Sequence, residues 1–352
     1  MLKKIFEILK IIFLFKFDFS FPSKKNFLLF DDNHRNYMLK YLDQEDLNIL
    51  HIRKEKINLP VVLSNFIKFK FTFRDYIETF IDLAGPKYII TFSDNSESFF
   101  LLKKRENSKK ILIQNGWKNK FNDNFLNIQN KKYHSDYSFV FNENIGNIYS
   151  KLLDCKSIVI GSFKSNCYKL REKKKKYPIL FISSFRNIKP SKLLVNGISY
   201  SDYDFTHKKA IEEIAYFAYQ KKIKLYIYGN DLFAPLIEEN YYNELKINCD
   251  WDFIKNDRPE TYNIIDQSNL VVGTHSTALY EAIGRGQKVF VFSKNFDNEK
   301  LNTHMFGWPY DFGKEGFFWV NNFLNRDLIQ QKIEKVFNLD QIDWDNKTDE
   351  IK

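Results

Sequence analysis

A turn crowded with hydroxyls directly follows an apolar run. Asn269-Leu-Val-Val-Gly273 leads into Thr274, His275, Ser276 and Thr277, and a helical stretch then runs to Gly284-Arg-Gly286. The first amides of a helix have no carbonyl partners, and the aligned peptide dipoles make that end positive. Hydroxyls beside those N–H groups form a seat for a phosphate without needing a lysine. Gly273 has no Cβ to block the backbone at the strand end. His275 can donate to a phosphate or to a departing oxygen, as suits a group titrating near neutrality, or it can simply fill the turn. Glu281 lies five residues after Ser276, a little over one turn on, and can face the same cleft to accept from ribose hydroxyls. The same residues also fit an ordinary strand–helix–strand unit in which Ser276 is only an N-cap.

The elements that must position this turn follow from alternating apolar runs and helical periodicity, the order expected of parallel α/β sheets. In the first half, strands are expected at Asn26 to Phe30, Leu47 to Ile52, Tyr88 to Phe92, Lys110 to Ile113, Tyr137 to Phe141 and Ser157 to Ile160. Helical patterns fall at Phe73 to Leu83, Glu97 to Lys104 and Ile145 to Leu153. After a lysine-rich stretch the alternation restarts, with strands at Ile179 to Ile182, Lys224 to Tyr228 and Asp252 to Ile254. Helices are expected there at Lys208 to Gln220, Glu260 to Gln267 and Arg326 to Phe337. The chain thus reads as an amphipathic segment 1–22, a Rossmann-like domain 23–165, a linker 166–177, a second Rossmann-like domain 178–340 and a tail 341–352.

Ligands of such sheets sit at the carboxyl ends of strands, where several polar loops fall. Ser183, Ser184 and Arg186 follow the first strand of the second half, and Arg186 either forks onto a phosphate or makes a surface ion pair. Tyr228 and Gly229 end the next strand. In the first half, Ser93-Asp94-Asn95 follows one strand and Gln114-Asn115-Gly116 its neighbour, while Asp31, Asp32 and His34 follow the first strand. Asp94 is either a helix N-cap or a carboxylate aimed at the cleft.

Four stretches carry a resemblance to bacterial surface-carbohydrate (O-antigen and capsule) biosynthesis proteins and, more broadly, to GT-B glycosyltransferases. They are Thr91-Phe-Ser-Asp-Asn95, Ile113-Gln-Asn-Gly116, Gly161-Ser-Phe-Lys-Ser165 and Val272-Gly-Thr-His-Ser-Thr-Ala-Leu-Tyr-Glu281, within a likeness running from about Asn26 to Phe337. The resemblance implies a GT-B-like α/β fold, two Rossmann-like domains whose parallel sheets face a central cleft. It also implies a nucleotide-sugar substrate rather than a cofactor. On that plan Gly273, Thr274, Ser276 and Thr277, with Ser183, Ser184 and Arg186, hold the donor diphosphate. Glu281, Tyr228, Gly229 and Phe253 lie toward the ribose and base. Asn95, Gln114, Asn115 and Gly116 line the acceptor side, and Asp94 and His275 are the catalytic candidates. An inverting transferase needs a general base for the acceptor hydroxyl, a role open to Asp94. Gln114-Asn115-Gly116 resembles a Gln-His-Gly or Trp-His-Gly turn of polymer-building transferases, but Asn115 stands where those have histidine, so the acid–base role of that position does not carry over. The resemblance implies no metal. It leaves three activities open: glycosyl transfer to a surface glycan, sugar-nucleotide modification such as epimerisation, and a catalytically degenerate scaffold.

Bulk properties narrow the partners. A net charge of +10 favours anionic ligands such as nucleotide phosphates or anionic lipid, while no nucleic-acid recognition motif is present. Cys155, Cys167 and Cys249 lack metal-ligand spacing, as expected of reduced thiols in a cytoplasmic protein. Residues 1–17 read as an amphipathic helix with Ile5, Ile8, Leu9, Ile12 and Phe13 on one side and lysines nearer the other. Such a helix either lies on the inner membrane surface, making the protein peripheral, or packs on the protein's own body. The expected partners are therefore a nucleotide-sugar donor, a glycan or lipid-linked glycan acceptor, and that membrane surface.

Overall fold

The computed structural model describes residues 16–53, 56–94, 96–117, 133–170, 174–187, 194–195, 198–257, 260–274, 276–293, 306–307, 316–320 and 323–349. The chain divides into two units, one comprising Met1–Asn115 and Asn124–Cys167, the other Gly116–Asp123 and Tyr168–Lys352.

In the first unit six parallel strands form one sheet: β1 (Phe27–Phe30), β2 (Leu47–Leu50), β3 (Tyr88–Thr91), β4 (Lys109–Ile113), β5 (Tyr133–Val140) and β6 (Leu153–Val159). Their order across the sheet is β2-β1-β3-β4-β5-β6, so the winding direction reverses between β1 and β3. Helix α1 (Leu59–Ile67) starts at Asn58, whose side chain accepts from the Val61 amide, and α2 (Phe73–Ala84) starts with a reciprocal Thr72–Asp75 capping box. The sequence signals an eight-residue helix from Glu97, yet only Glu97–Phe100 is helical. Buried Lys110 explains the early stop, since its Nζ donates to the carbonyls of Phe99, Phe100 and Leu102.

The second unit repeats the design with β7 (Tyr177–Ile182), β8 (Leu225–Tyr228), β9 (Trp251–Ile254), β10 (Ser268–Gly273), β11 (Val289–Phe292) and β12 (Trp319–Val320). All pairings are parallel and the order is β9-β8-β7-β10-β11-β12, with the reversal between β7 and β10. Val289, Phe290, Val291 and Phe292 are all buried, as an apolar run covered on both faces must be. Helix α3 (Tyr200–Lys221) and helix α5 (Arg326–Asn338) pack together against β10, with Phe217 and Phe337 edge to face at 5.5 Å. Helix α4 (Thr277–Gly284) packs on β10 and β11.

Two expectations for the ends change. Lys16–Asp18 is a strand paired in parallel with Lys56–Asn58, so Lys16 and Phe17 are not helical; residues 1–15 lie outside the described residues. The stretch 341–352 is not a tail throughout, because Gln341–Thr348 is a helix whose Trp344 is fully buried against Phe317 and Phe318. One large indole is enough to dock an otherwise polar helix. Among the described residues no helix is long and apolar enough to cross a membrane.

Candidate functional site

Reversal points of parallel sheets open a crevice at the strand ends, because the flanking connections leave in opposite directions. Each unit has one such point, and the polar loops singled out in the sequence fall on both.

In the second unit the register sets Ile182 opposite Gly273. A Cβ on Gly273 would stand 3.1 Å from the Ile182 carbonyl oxygen and 3.3 Å from Leu279, so the close strand–helix approach here needs glycine. The residues that follow then meet across the crevice: Ser184 Oγ lies 2.9 Å from Thr274 Oγ1, both buried. Ser276 is the N-cap of α4 and accepts from the Ala278 amide at 3.2 Å. Thr277 Oγ1 accepts from the Trp117 N–H at 3.1 Å, which leaves its own proton to donate. The Trp117 ring stacks on Tyr280 at 3.9 Å, and Tyr280 stacks in turn on Phe306 at 5.2 Å. Burial pushes the Tyr280 phenol above its ordinary range, and its oxygen accepts from the Gly307 amide.

Ser183 faces the other way. Its hydroxyl donates to buried Glu238 and accepts from the Tyr242 hydroxyl at 2.6 Å, and Tyr242 meets His207 Nε2 at 2.8 Å. Glu238 also takes the amides of Asn230 at 2.9 Å and Asp231 at 2.8 Å, fixing the loop after β8. Burial raises the Glu238 carboxyl against the pull of these donors. The His207 imidazole is lowered from 6.5 to about 4, chiefly by burial, which keeps it neutral. Gly229 is pinned in the same loop, since a Cβ there would lie 2.7 Å from the Phe253 ring. The Tyr228 hydroxyl is within reach of Thr261 Oγ1 at 2.7 Å and Asn256 Oδ1 at 3.1 Å, turned toward its own unit's framework. Glu281 is buried on α4, and Arg186 is exposed beyond Ser184. Arg285, at the C-terminal end of α4, grips Asp266 with Nε at 2.8 Å and Nη2 at 2.6 Å, a buried bidentate pair. His275 lies outside the described residues.

In the first unit the crevice between β1 and β3 has a different chemistry. Asp94 is only 3% exposed and accepts from the Asn115 N–H at 3.1 Å. It is not a helix cap, because Ser96 holds that position ahead of Glu97–Phe100. Asp31, buried with φ 86°, binds Arg53 Nη2 at 2.7 Å and accepts from Ser93 Oγ at 3.3 Å. A non-glycine residue at positive φ stores backbone strain, which concentrates at functional sites. Gln114 is spent on the sheet, its Oε1 accepting from the Phe141 amide at 2.9 Å. Asn115 Oδ1 is buried with no hydrogen-bond partner among the described residues, an acceptor waiting for a donor. Asn95 lies outside the described residues, and Gly116 belongs to the second unit. Among the described residues no group of three or more His, Cys, Asp or Glu side chains could hold a metal ion.

Sequence reasoning missed Glu238, Arg53, and the Trp117–Tyr280 stack. Glu238 stands 55 positions from Ser183, and no local pattern joins them. An aromatic directly after Gln114-Asn115-Gly116 is the one signal that pointed to Trp117.

Comparison with known proteins follows the same lines. A family model described as "putative O-antigen biosynthesis protein" matches residues 111–351. The wall teichoic acid polymerase TagF is similar at 12% identity and a TM-score of 0.51, covering 93% of this chain and 84% of that one. The UDP-GlcNAc 2-epimerase of Methanocaldococcus jannaschii is similar at 11% identity and a TM-score of 0.51, covering 91% of this chain and 94% of that one. That enzyme has also been solved in complex with UDP-GlcNAc and UDP. No curated protein matches the sequence. Likenesses at this identity establish the fold: two parallel α/β units of the GT-B kind, shared with enzymes of glycan assembly and sugar-nucleotide chemistry.

Proposed function

We propose that this chain, which belongs to the O-antigen biosynthesis protein family, is a metal-independent GT-B glycosyltransferase that moves a sugar from a nucleotide-activated donor to a surface glycan. The observation that carries this reading is the Ser184–Thr274 hydroxyl pair at the reversal point of the second sheet, beside the N-terminus of α4. Hydroxyls and helix amides stabilise negative charge that grows on a departing phosphate, and electrostatic terms of this kind usually dominate such catalysis. Thr277, Ser276, His275 and Arg186 complete the diphosphate seat, and Glu281 takes the ribose. Ser183 and Tyr228 serve that seat from behind, holding the loops in place.

In the reaction, the acceptor hydroxyl oxygen bonds to the anomeric carbon as the bond from that carbon to the donor phosphate oxygen breaks. The hydroxyl proton passes to the Asp94 carboxylate, oriented by the Asn115 amide, and Asn115 Oδ1 accepts from a second acceptor hydroxyl. The site of action is cytoplasmic, on a glycan or lipid-linked glycan at the inner membrane face.

A second reading, sugar-nucleotide epimerisation, draws support from the M. jannaschii likeness. Incubating radiolabelled UDP-, GDP-, CDP- and TDP-sugars with and without membrane glycan separates the two. Label transferred to glycan is the expected result. A sugar altered without any acceptor would favour the epimerase, and failure to bind every nucleotide would leave only a scaffold.

A further inference from the structure

The first unit carries an apolar surface that the transfer chemistry does not use. Helix α1 buries Val61 together with polar Asn65, which is bonded to the Thr79 hydroxyl of α2, yet leaves Leu63, Phe66 and Ile67 facing outward. A helix at a water-facing surface normally turns its large apolar side chains toward the core. The turn that follows adds Phe69, 84% exposed, and Phe71, 70% exposed. Phe66 and Phe71 touch edge to face at 6.0 Å, so the patch is continuous. A groove of about 410 Å³ runs beside it, lined by Val62, Phe66, Phe71, Phe73 and Tyr76.

Backbone geometry marks the same turn. The Lys70 amide donates to the Asn65 carbonyl at 2.9 Å and the Phe69 amide to that of Phe66 at 3.1 Å, a Schellman ending for α1. Its left-handed position, φ 53°, is filled by Phe69, where glycine would sit without strain. A bulky side chain held there points outward at the tip of a hairpin.

Charge names the partner. From Leu59 to Arg74 the sequence has no acidic residue, and Lys68, Lys70 and Arg74 are interleaved with the phenylalanines. Lys68 and Lys70 are both exposed. Aromatic side chains projecting beside exposed ammonium groups fit the boundary of a bilayer with anionic headgroups. The rings enter the acyl boundary while lysine stems reach back to the phosphates.

We infer that the α1–α2 hairpin, led by Phe66, Ile67, Phe69 and Phe71 with Lys68 and Lys70, docks this protein on an anionic lipid surface. The inference does not rest on the transferase reading, and donor binding is a separate readout that should be equal in every variant below.

The test uses the full chain and vesicles of phosphatidylcholine with or without phosphatidylglycerol. Binding is expected only with phosphatidylglycerol and should weaken as salt screens the lysines. The double variant Phe69→Asn, Phe71→Asn should bind at least tenfold more weakly with no loss of melting temperature, because asparagine accepts the left-handed conformation. Lys68→Gln with Lys70→Gln should also weaken binding and flatten its salt dependence. Phe69→Trp should show blue-shifted emission on the vesicles and quenching by brominated lipid. Three results would overturn the inference. They are a wild-type chain that ignores the vesicles, variants that bind as well as wild type, and a wild-type dimer that the Phe69→Asn, Phe71→Asn change splits while vesicle binding stays the same.

Discussion

The first unit sets carboxylates, Asp31 and Asp94, at the ends of its strands, whereas the second sets hydroxyls there and keeps the Glu238 carboxyl behind Ser183. Both lie where a parallel sheet reverses its winding, so topology alone would give them the same use. The first presents buried Asp31, paired with Arg53, and buried Asp94, groups that accept hydrogen bonds rather than donate them to a phosphate. The second presents Ser184, Thr274, Ser276 and Thr277 next to helix amides, a field that welcomes one. The same backbone plan thus carries different side-chain chemistry at equivalent strand ends. The supports differ too. Asp31 leans on Arg53, an ion pair open to solvent, while Ser183 sits between the buried Glu238 carboxyl and the Tyr242 hydroxyl, which in turn meets neutral His207.

The largest way to break the comparison is at Asp94. Asp94→Asn keeps the shape and the contact with the Asn115 backbone N–H but removes the proposed base, so turnover should fall by about 10²–10⁴ with donor affinity unchanged. A loss of donor affinity in that variant would contradict the comparison.

Acid should separate the two supports next. The folded His207 titrates near 4 and an unfolded histidine near 6.5. The unfolded chain therefore takes up the proton first, and stability present above pH 6.5 is lost as pH falls toward 4. The loss is on the order of 3 kcal/mol. Asp204 and Lys208 are the charged groups acting on that imidazole, with opposite signs. Thermal melts from pH 7 to pH 4.5 check this, and His207→Gln should flatten the profile.

Importing the first crevice's chemistry into the second sharpens the contrast. Thr274→Asp sets a carboxylate against the diphosphate and should weaken sugar-nucleotide binding by about a hundredfold or more, as like charges do. Removing single contacts should cost less. Ser184→Ala should weaken diphosphates by roughly tenfold to a hundredfold and spare the free nucleoside, whereas Glu281→Ala should weaken both. Calorimetry with matched nucleoside and sugar nucleotide reads each pattern.

What the sequence revealed follows from where its information is local. Leu270-Val-Val272 and Val289-Phe-Val-Phe292 are unbroken apolar runs, and strands covered on both faces have no other way to read. The hydroxyl turn after Gly273 was legible because its residues are neighbours in the chain. Helix α1 was not, since Leu63, Phe66 and Ile67 face outward while polar Asn65 is buried, which blurs the usual stripe. The helix at Gln341–Thr348 was hidden by having Trp344 as its main anchor. Asp94 could be read as a cap because its partner, the Asn115 amide, lies 21 positions away. The reach of Glu238 to Ser183 is longer still, and only the folded sheet shows it.

The central claim is that the second unit alone seats the donor phosphates. Its most direct test is a calorimetric titration of one sugar nucleotide, chosen as the strongest stabiliser from a UDP, GDP, CDP and TDP panel, into wild type, Thr274→Asp and Asp94→Asn. Asp94→Asn should bind with wild-type affinity and Thr274→Asp should lose binding. Equal affinity in all three, or loss confined to Asp94→Asn, would contradict it.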